Sequence, residues 1–339
     1  MRAIIIDAPG NIRVGSLPDP EPQPDELLIR VEACGICGTD LHLIDGDSPL
    51  ARYPLVPGHE FAGEVVALGS NVASKGEADL SIGSRVVIEP NLYCGHCESC
   101  RAGHENLCLN YKAIGVTTNG ALAEYVVVPA SKAYVVPEAI SLREAALVEP
   151  ISCAVHGMHS LNPRSGDTAL IVGAGTMGML LLQLLLRGGA SRVAMVDINA
   201  QRLVRAEQLG ATCTYTTIKQ ALLDEPRGFH CVIDATGVPA VIEQAFMAVK
   251  RGGKFMIFGV APAEASVSFS PFRIYNEEIT IVGSMAVLFS FQAALDLLCG
   301  GIITTEAMLT SALPLEDFQK ALNMVRQGEG IKTLILPNA

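Results

Sequence analysis

The chain has 339 residues, 50% of them hydrophobic and 17% charged. That length suits two domains of roughly 100 to 200 residues each, and the apolar content excludes a mainly disordered chain. A formal net charge of −11, from 35 acidic against 24 basic residues, with no basic block, excludes a protein that neutralises a phosphate backbone, so no nucleic-acid partner is expected. The N-terminal run Met1-Arg2-Ala3-Ile4-Ile5-Ile6 breaks at Asp7, Pro9 and Gly10 before a signal-peptide core can form. The most apolar stretch, 177–186, contains Gln183 and falls short of the ~18 residues of a membrane span. A cytoplasmic protein without a membrane helix is expected, and there the ten cysteines point to metal or catalytic roles in preference to disulfides.

In chain order, the first ~150 residues carry short β-type runs at 27–32, 62–68, 85–88, 123–128 and 132–136, separated by Gly and Pro, the texture of an all-β region. Alternating Pro18, Pro20, Pro22 and Pro24 read as an extended connector before a strand. From ~165 onward, apolar strands alternate with amphipathic helices, the pattern of a parallel sheet with crossovers. Strands are expected at 168–172, 192–196, 213–216, 230–233, 254–258 and 279–282, and helices at 176–187, 201–209 and 240–249. Helices at 291–299 and 315–327 and a closing strand at 333–336 follow.

Between the first of these strands and its helix lies Gly173-Ala174-Gly175-Thr176-Met177-Gly178. A lone GxGxxG is a weak signal, but strand before and helix after is the context in which backbone N–H groups at a helix N-terminus face a pyrophosphate. Gly173 allows the tight turn, Gly175 the approach of the phosphate, and Gly178 close packing of helix on sheet, with Thr176 and Met177 in the first helical turn. Asp197 follows the next strand, 19 residues after Gly178, where a carboxylate accepts both ribose hydroxyls and repels a 2′-phosphate. NAD is therefore expected over NADP, although Arg202 could either cover the adenine or pair with a phosphate. Thr236 and Val260, after later strands, complete the candidate cofactor set.

The cysteines form two groups. Cys94-x2-Cys97-x2-Cys100-x7-Cys108 places four thiols within fifteen residues, which suits a closed tetrahedral structural zinc and leaves His96 and His104 as bystanders. The second group is dispersed: Cys34-Gly35-Ile36-Cys37-Gly38-Thr39-Asp40-Leu41-His42, then Gly58-His59-Glu60, then Val148-Glu149-Pro150. Cys34-x2-Cys37 lacks the βαβ surroundings of a redox pair. A Cys, a His and one or two carboxylates make an open catalytic zinc site whose remaining position takes water or substrate.

These motifs, in this order and over essentially the whole length, resemble the zinc-dependent medium-chain dehydrogenases. Leu147-Val148-Glu149-Pro150 with Val155-His156 resembles the sorbitol, polyol and threonine dehydrogenase branch of that family. The resemblance implies a Rossmann doubly wound parallel sheet inserted into a β-rich GroES-like catalytic domain. The catalytic domain would comprise 1–153 and 288–339 with a zinc lobe at 90–110, the Rossmann domain 154–287, and the active cleft would lie between them. It also implies that Cys37 and His59 are ligands of a catalytic zinc, while Glu60 and Glu149 supply a third ligand or hold the water at the open position. Thr39 would pass the alcohol proton on toward His42, and two zinc ions per chain are expected. Cys34 falls outside the ligand pattern and reads as a packed side chain.

Substrate walls are expected near the first zinc segment, near Val116-Thr117-Thr118, and along Gly283-Ser284-Met285-Ala286-Val287-Leu288-Phe289. Sorbitol dehydrogenases carry an arginine on the last stretch and this chain has none. The leading reading is an NAD-dependent dehydrogenase of secondary alcohols, foremost polyols oxidised to ketoses, with hydroxyls met by Thr39, Thr117, Glu149 and water. Threonine, a diol or a simple alcohol on the same machinery is the alternative, and a non-catalytic zinc- and nucleotide-binding protein the remote one. The apolar run 279–285 is a pairing edge for a homodimer or homotetramer.

Overall fold

The computed structural model of the protein describes residues 1–48, 50–75 and 80–339. The chain divides into two compact units: Met1–Ser152 with Val287–Cys299 and Leu309–Ala339, and Cys153–Ala286 with Gly300–Met308.

The second unit holds a six-stranded parallel sheet in the spatial order Cys213–Tyr215, Arg192–Val196, Thr168–Val172, Phe229–Asp234, Val249–Ile257 and Thr280–Gly283. Numbered by their order in the chain these strands run 3-2-1-4-5-6, the doubly wound order whose ligand site lies beyond the carboxyl ends of the strands. Ala169, Leu170 and Ile171 are wholly buried, as are Val193, Ala194 and Met195, because helices cover both faces and leave no wet side to alternate toward. The helix Thr176–Arg187 buries most of its length, so the most apolar segment of the sequence is a core helix. Among the described residues no helix is long and apolar enough to cross a membrane.

The first unit is built on a seven-stranded sheet. Along its main path lie Leu309–Pro314, Lys332–Leu336, Glu26–Gly35, Glu60–Leu68, Arg85–Ile88 and Ala133–Val135, and Tyr125–Pro129 pairs with Glu26–Gly35. Here one face is dry and burial alternates: Leu27, Ile29, Val31 and Ala33 point inward while their neighbours are half-exposed. Leu27, Ile29 and Val31 join Ile4, Ile6, Phe61, Val65, Phe318, Leu322 and Ile335 in one core, whereas Ala33, beyond a register shift, packs with Ala146, Leu334 and Leu336. In the central antiparallel pair Gly35 lies opposite Glu60 and Cys34 opposite Phe61. On the other side of the same strand Leu334 lies opposite Gly35. That register gathers three distant segments, near residues 35, 60 and 332, at one end of the sheet.

The structure corrects several sequence expectations. The first ~150 residues are not all-β, since Gly38–Asp45, Leu142–Ala145 and Val148–Leu161 are helical. Gly38–Asp45 is too short for a periodic signal; it starts because the Cys37 N–H donates to the Asp40 carboxylate at 2.8 Å, across the first turn. Val148–Leu161 starts with Pro150 in its first turn, where a missing N–H costs nothing. The helix expected at 240–249 is Pro239–Phe246, and Val249 already belongs to the strand Val249–Ile257. The helix expected at 315–327 is a 3₁₀ turn at Leu315–Asp317 followed by Phe318–Arg326. An N-terminal hairpin of Arg2–Ala8 and Asn11–Ser16 adds a further pair of strands.

Candidate active site

Cys37, His59 and Glu60 come together: one ligand atom from each lies within 4.8 Å of the others. Cys37 lies two residues past the strand Glu26–Gly35 and caps the helix Gly38–Asp45, and Glu60 opens the neighbouring strand. His59 and Glu60 are buried and Cys37 half-buried. Beneath them Asp40, wholly buried, accepts from the Cys37 N–H at 2.8 Å and the Gly58 N–H at 3.3 Å. Its Oδ1 stands 3.8 Å from His59 Nδ1. With Nδ1 turned to that carboxylate, Nε2 is the nitrogen left for a metal, the carboxylate–histidine–metal order of metalloenzymes. Among the described residues His59 Nδ1 is a buried nitrogen with no hydrogen-bond partner, so its interaction with Asp40 is electrostatic. Burial penalises a charged imidazole here, but the charges of Asp40, Cys37 and Glu149 outweigh it and hold His59 well above the ordinary histidine range.

The bed under His59 is backbone. A Cβ at Gly115 would stand 2.2 Å from the Gly58 carbonyl oxygen, and one at Gly120 would stand 2.3 Å from the same atom. The Ala121 N–H donates to that oxygen at 2.9 Å. The 113–120 loop can therefore lie this close only because these two residues lack side chains. Within the loop the Thr117 hydroxyl accepts from the Ala113 N–H at 2.9 Å and donates to its carbonyl at 3.3 Å. Its proton is thus committed to its own turn, and only one lone pair is left to accept from another group.

Glu149, buried in the first turn of Val148–Leu161, is outside the group of three, yet its charge acts on both His59 and Lys332. Thr39 Oγ1 lies 3.8 Å from Cys37 Sγ. His42 follows Thr39 by three positions on the same helix, so the two share a face. Lys332, unassigned by the sequence reading, is 3% exposed and forms an ion pair with Glu60 Oε2. Burial alone would lower its ammonium, and Glu60 together with the charges of Cys37 and Glu149 more than reverses this, holding it above the usual lysine value. Cys34 is fully buried, and burial reinforced by Asp40 and Glu60 drives its thiol upward. It is a neutral packed group, as its position outside the ligand pattern suggests.

The four lobe thiols also converge. Sulfur–sulfur distances are 3.5 Å for Cys97–Cys100, 3.6 Å for Cys94–Cys108 and 3.9 Å for Cys97–Cys108. Disulfide sulfurs would stand ~2.05 Å apart, whereas the edge of a tetrahedron with ~2.3 Å zinc–sulfur bonds is about 3.8 Å. Backbone N–H groups of His96 and Cys97 aim at Cys94 and bring its thiol down to about 5, favouring the thiolate a metal requires. His96 is exposed, with Nδ1 at 2.7 Å from the Cys94 carbonyl. The donor sets fit zinc at both places.

In the second unit, the glycine-rich turn follows the strand Thr168–Val172. A Cβ at Gly178 would stand 1.9 Å from the Gly173 carbonyl oxygen, so helix and turn can touch only without a side chain there. Beside Gly175 the space is open to 4 Å, as an approaching phosphate needs. Asp197, just past Arg192–Val196, accepts from the Ala174 N–H and the Asn199 N–H, each at 2.7 Å. Arg202 lies in the first turn of Ala200–Gln208, whose N-terminus Asn199 caps. Thr236 donates at 2.6 Å to Asp234, a wholly buried carboxylate that also receives the Gly237 N–H at 3.1 Å. Val260, 71% exposed, lies against Gly237, whose missing Cβ would be 2.2 Å from the Val260 carbonyl oxygen. All of these candidate residues follow carboxyl ends of parallel strands.

The sequence matches the alcohol dehydrogenase GroES-like domain over residues 23–138 and the zinc-binding dehydrogenase domain over 176–299. D-arabinitol dehydrogenase 1 of Uromyces fabae is 34% identical, covering 100% of this chain and 97% of its own. This protein belongs to the zinc-dependent medium-chain dehydrogenases. D-altritol 5-dehydrogenase of Agrobacterium fabrum is 37% identical over 94% of each chain. A zinc-binding dehydrogenase of Sinorhizobium meliloti, solved with NADP, is 35% identical with a TM-score of 0.91 over 99% of each chain. The α/β architecture of this dehydrogenase, a GroES-like domain with a Rossmann sheet, is that of its relatives. Two buried residues that contact the group of Cys37, His59 and Glu60 escaped the sequence reading. Asp40 stood inside a quoted motif, and its Asp-after-Thr position at a helix start was the available signal. Lys332, a cation at the start of the wholly buried strand Lys332–Leu336, was the other.

Proposed function

We propose that the protein oxidises a secondary alcohol of a polyol to the ketone with NAD, using one zinc at Cys37 and His59 and a second, structural zinc in the four-cysteine lobe. The observation that carries this reading is the buried convergence of a thiol, an imidazole and a carboxylate with Asp40 behind them. The relatives named for arabinitol and altritol point to polyols as the substrate class. When bound, zinc supplies Lewis-acid polarisation of the alcohol oxygen and the nicotinamide supplies the hydride acceptor. Cys37 and His59 hold the metal, with Glu60 or Glu149 at a third position, and Asp40 fixes the His59 ring. The alcohol proton leaves toward the Thr39 hydroxyl and on to His42 at the surface of the same helix. Thr39→Val should lower kcat by roughly 10²-fold, the lower range for a positioned proton-transfer group, with two zinc ions retained. Unchanged turnover would take Thr39 out of the relay.

The substrate class is tested by following NADH formation with polyols, vicinal diols, threonine and primary alcohols, on protein shown by metal analysis to carry two zinc ions. Fastest turnover of a polyol is expected. Turnover confined to threonine or primary alcohols would overturn the polyol assignment, and none at full zinc occupancy would overturn the enzyme reading. NAD preference rests on Asp197, whose carboxylate is aimed by two backbone N–H groups. Asp197→Ala should cost NAD about 1.5–3 kcal/mol of charged hydrogen bonding, roughly ten- to hundredfold in kcat/KM, and leave NADP unharmed. An unchanged NAD to NADP ratio would remove Asp197 from cofactor choice.

The free edge of Thr280–Gly283, last in its sheet and with Ile281 39% exposed, supports a homo-oligomer in which two copies pair these edges. Light scattering at the mass of one chain would remove that arrangement. A reducing compartment such as the cytoplasm suits a protein whose thiols are ligands.

A further inference from the structure

Lys332 stands beside the proposed zinc ligands and takes no part in the steps described. It is 3% exposed; its Nζ donates to the Ile36 carbonyl at 3.1 Å and pairs with Glu60 Oε2. The site is built for this pair. A Cβ at Gly35 would stand 2.2 Å from Glu60 Oε2 and 3.3 Å from Lys332 Cε, so the glycine leaves the room the two side chains fill. The same carboxylate is one of the three groups whose ligand atoms gather within 4.8 Å. Glu60 therefore has two cations competing for it, an ammonium from a strand 272 residues away in sequence and the metal between Cys37 and His59. A buried ammonium without a counter-ion is strongly disfavoured, so each cation holds the carboxylate at the other's expense.

We propose that Lys332 is a positioning residue that holds Glu60 in reserve, keeping one coordination position beside Cys37 and His59 open to substrate. This rests on the reading that these residues hold zinc. Removing the ammonium takes from Glu60 its ion pair among the described residues, leaving the metal as the cation beside it, and takes a positive charge away from a dication. Both effects tighten the metal and close the shell.

The test uses Lys332→Met in the full-length, zinc-loaded protein. Zinc release from the Cys37–His59 site to a chelator should be about tenfold slower than in the wild type, the lower end of what partners of ligands contribute to metal affinity. Release from the lobe, measured in the same trace, should be unchanged. With cobalt(II) in place of that zinc, added imidazole should shift the visible bands of the wild type and leave those of the variant nearly unmoved. Lys332→Arg should restore wild-type behaviour. A residue that merely supports the fold would, when replaced, loosen the metal. Release as fast as or faster than wild type, or an undiminished imidazole response, overturns the proposal. Should the Met variant not fold, Lys332→Gln, close in length and still a donor for Ile36, is held to the same outcomes. A wild type that binds no second zinc would instead strike the underlying metal assignment, and metal analysis tells the two failures apart.

Discussion

Cys37→Ser is expected to lose one zinc per chain and at least about three orders of magnitude in kcat/KM while keeping the fold. Cys37 lies at the junction of the strand Glu26–Gly35 and the helix Gly38–Asp45, and the contact that orders this junction is its backbone N–H on Asp40. Serine keeps that N–H and changes only the sulfur, which borders His59 and Glu60. A hydroxyl is a far weaker zinc ligand than a thiolate at neutral pH. Lewis-acid stabilisation of the reacting oxygen is worth several kcal/mol, and each ~1.4 kcal/mol is tenfold in rate. Metal analysis, circular dichroism and NADH formation together decide the point. Full zinc with wild-type turnover would show that Cys37 is no ligand, and a collapsed fold would show that its role is structural.

Cys97→Ser should give the complementary result: one zinc lost, the Cys37–His59 zinc retained, and a markedly lower Tm. The lobe contains one four-residue helix, Glu98–Arg101, and one short 3₁₀ turn, Glu105–Leu107, too little to organise a loop by hydrophobic burial. Thiolate zinc sites contribute roughly 10–16 kcal/mol in zinc-finger peptides. Loss of even a fifth of that, about 2–3 kcal/mol, lowers Tm by roughly 5–10 °C in a unit of this size. Two zinc ions and an unshifted Tm in the variant would remove the structural zinc from the lobe.

What could be read from the sequence alone follows from how far apart the cooperating residues are. The lobe and the glycine-rich turn are local arrangements, each specified within fifteen residues, so spacing alone exposes them. Cys37, His59 and Glu60 were recognisable as motifs, although only the antiparallel register that sets Gly35 against Glu60 makes them neighbours. Lys332 reaches the site through the pairing of Leu334 with Gly35, a relation that no local pattern encodes. The helix Gly38–Asp45 was hidden for a different reason: eight residues are too few for periodicity to outweigh the β-type runs on either side. Thr117 illustrates the reverse case, a hydroxyl recognisable by type whose proton and one lone pair are taken by the Ala113 backbone.

The contrast between the two proposed metal sites has a consequence for biosynthesis. The four lobe thiols span Cys94 to Cys108, so on this proposal that segment can capture an ion as soon as it leaves the ribosome. The site at Cys37 and His59 acquires its full surroundings only when the strand Lys332–Leu336 has been made and has paired, more than two hundred residues after Cys108, because closing long loops must precede their contacts. The ions should therefore be loaded in sequence, the lobe first. In a refolding time course stopped with chelator at intervals, one protected zinc should appear well before the other, and simultaneous protection of both would refute that order.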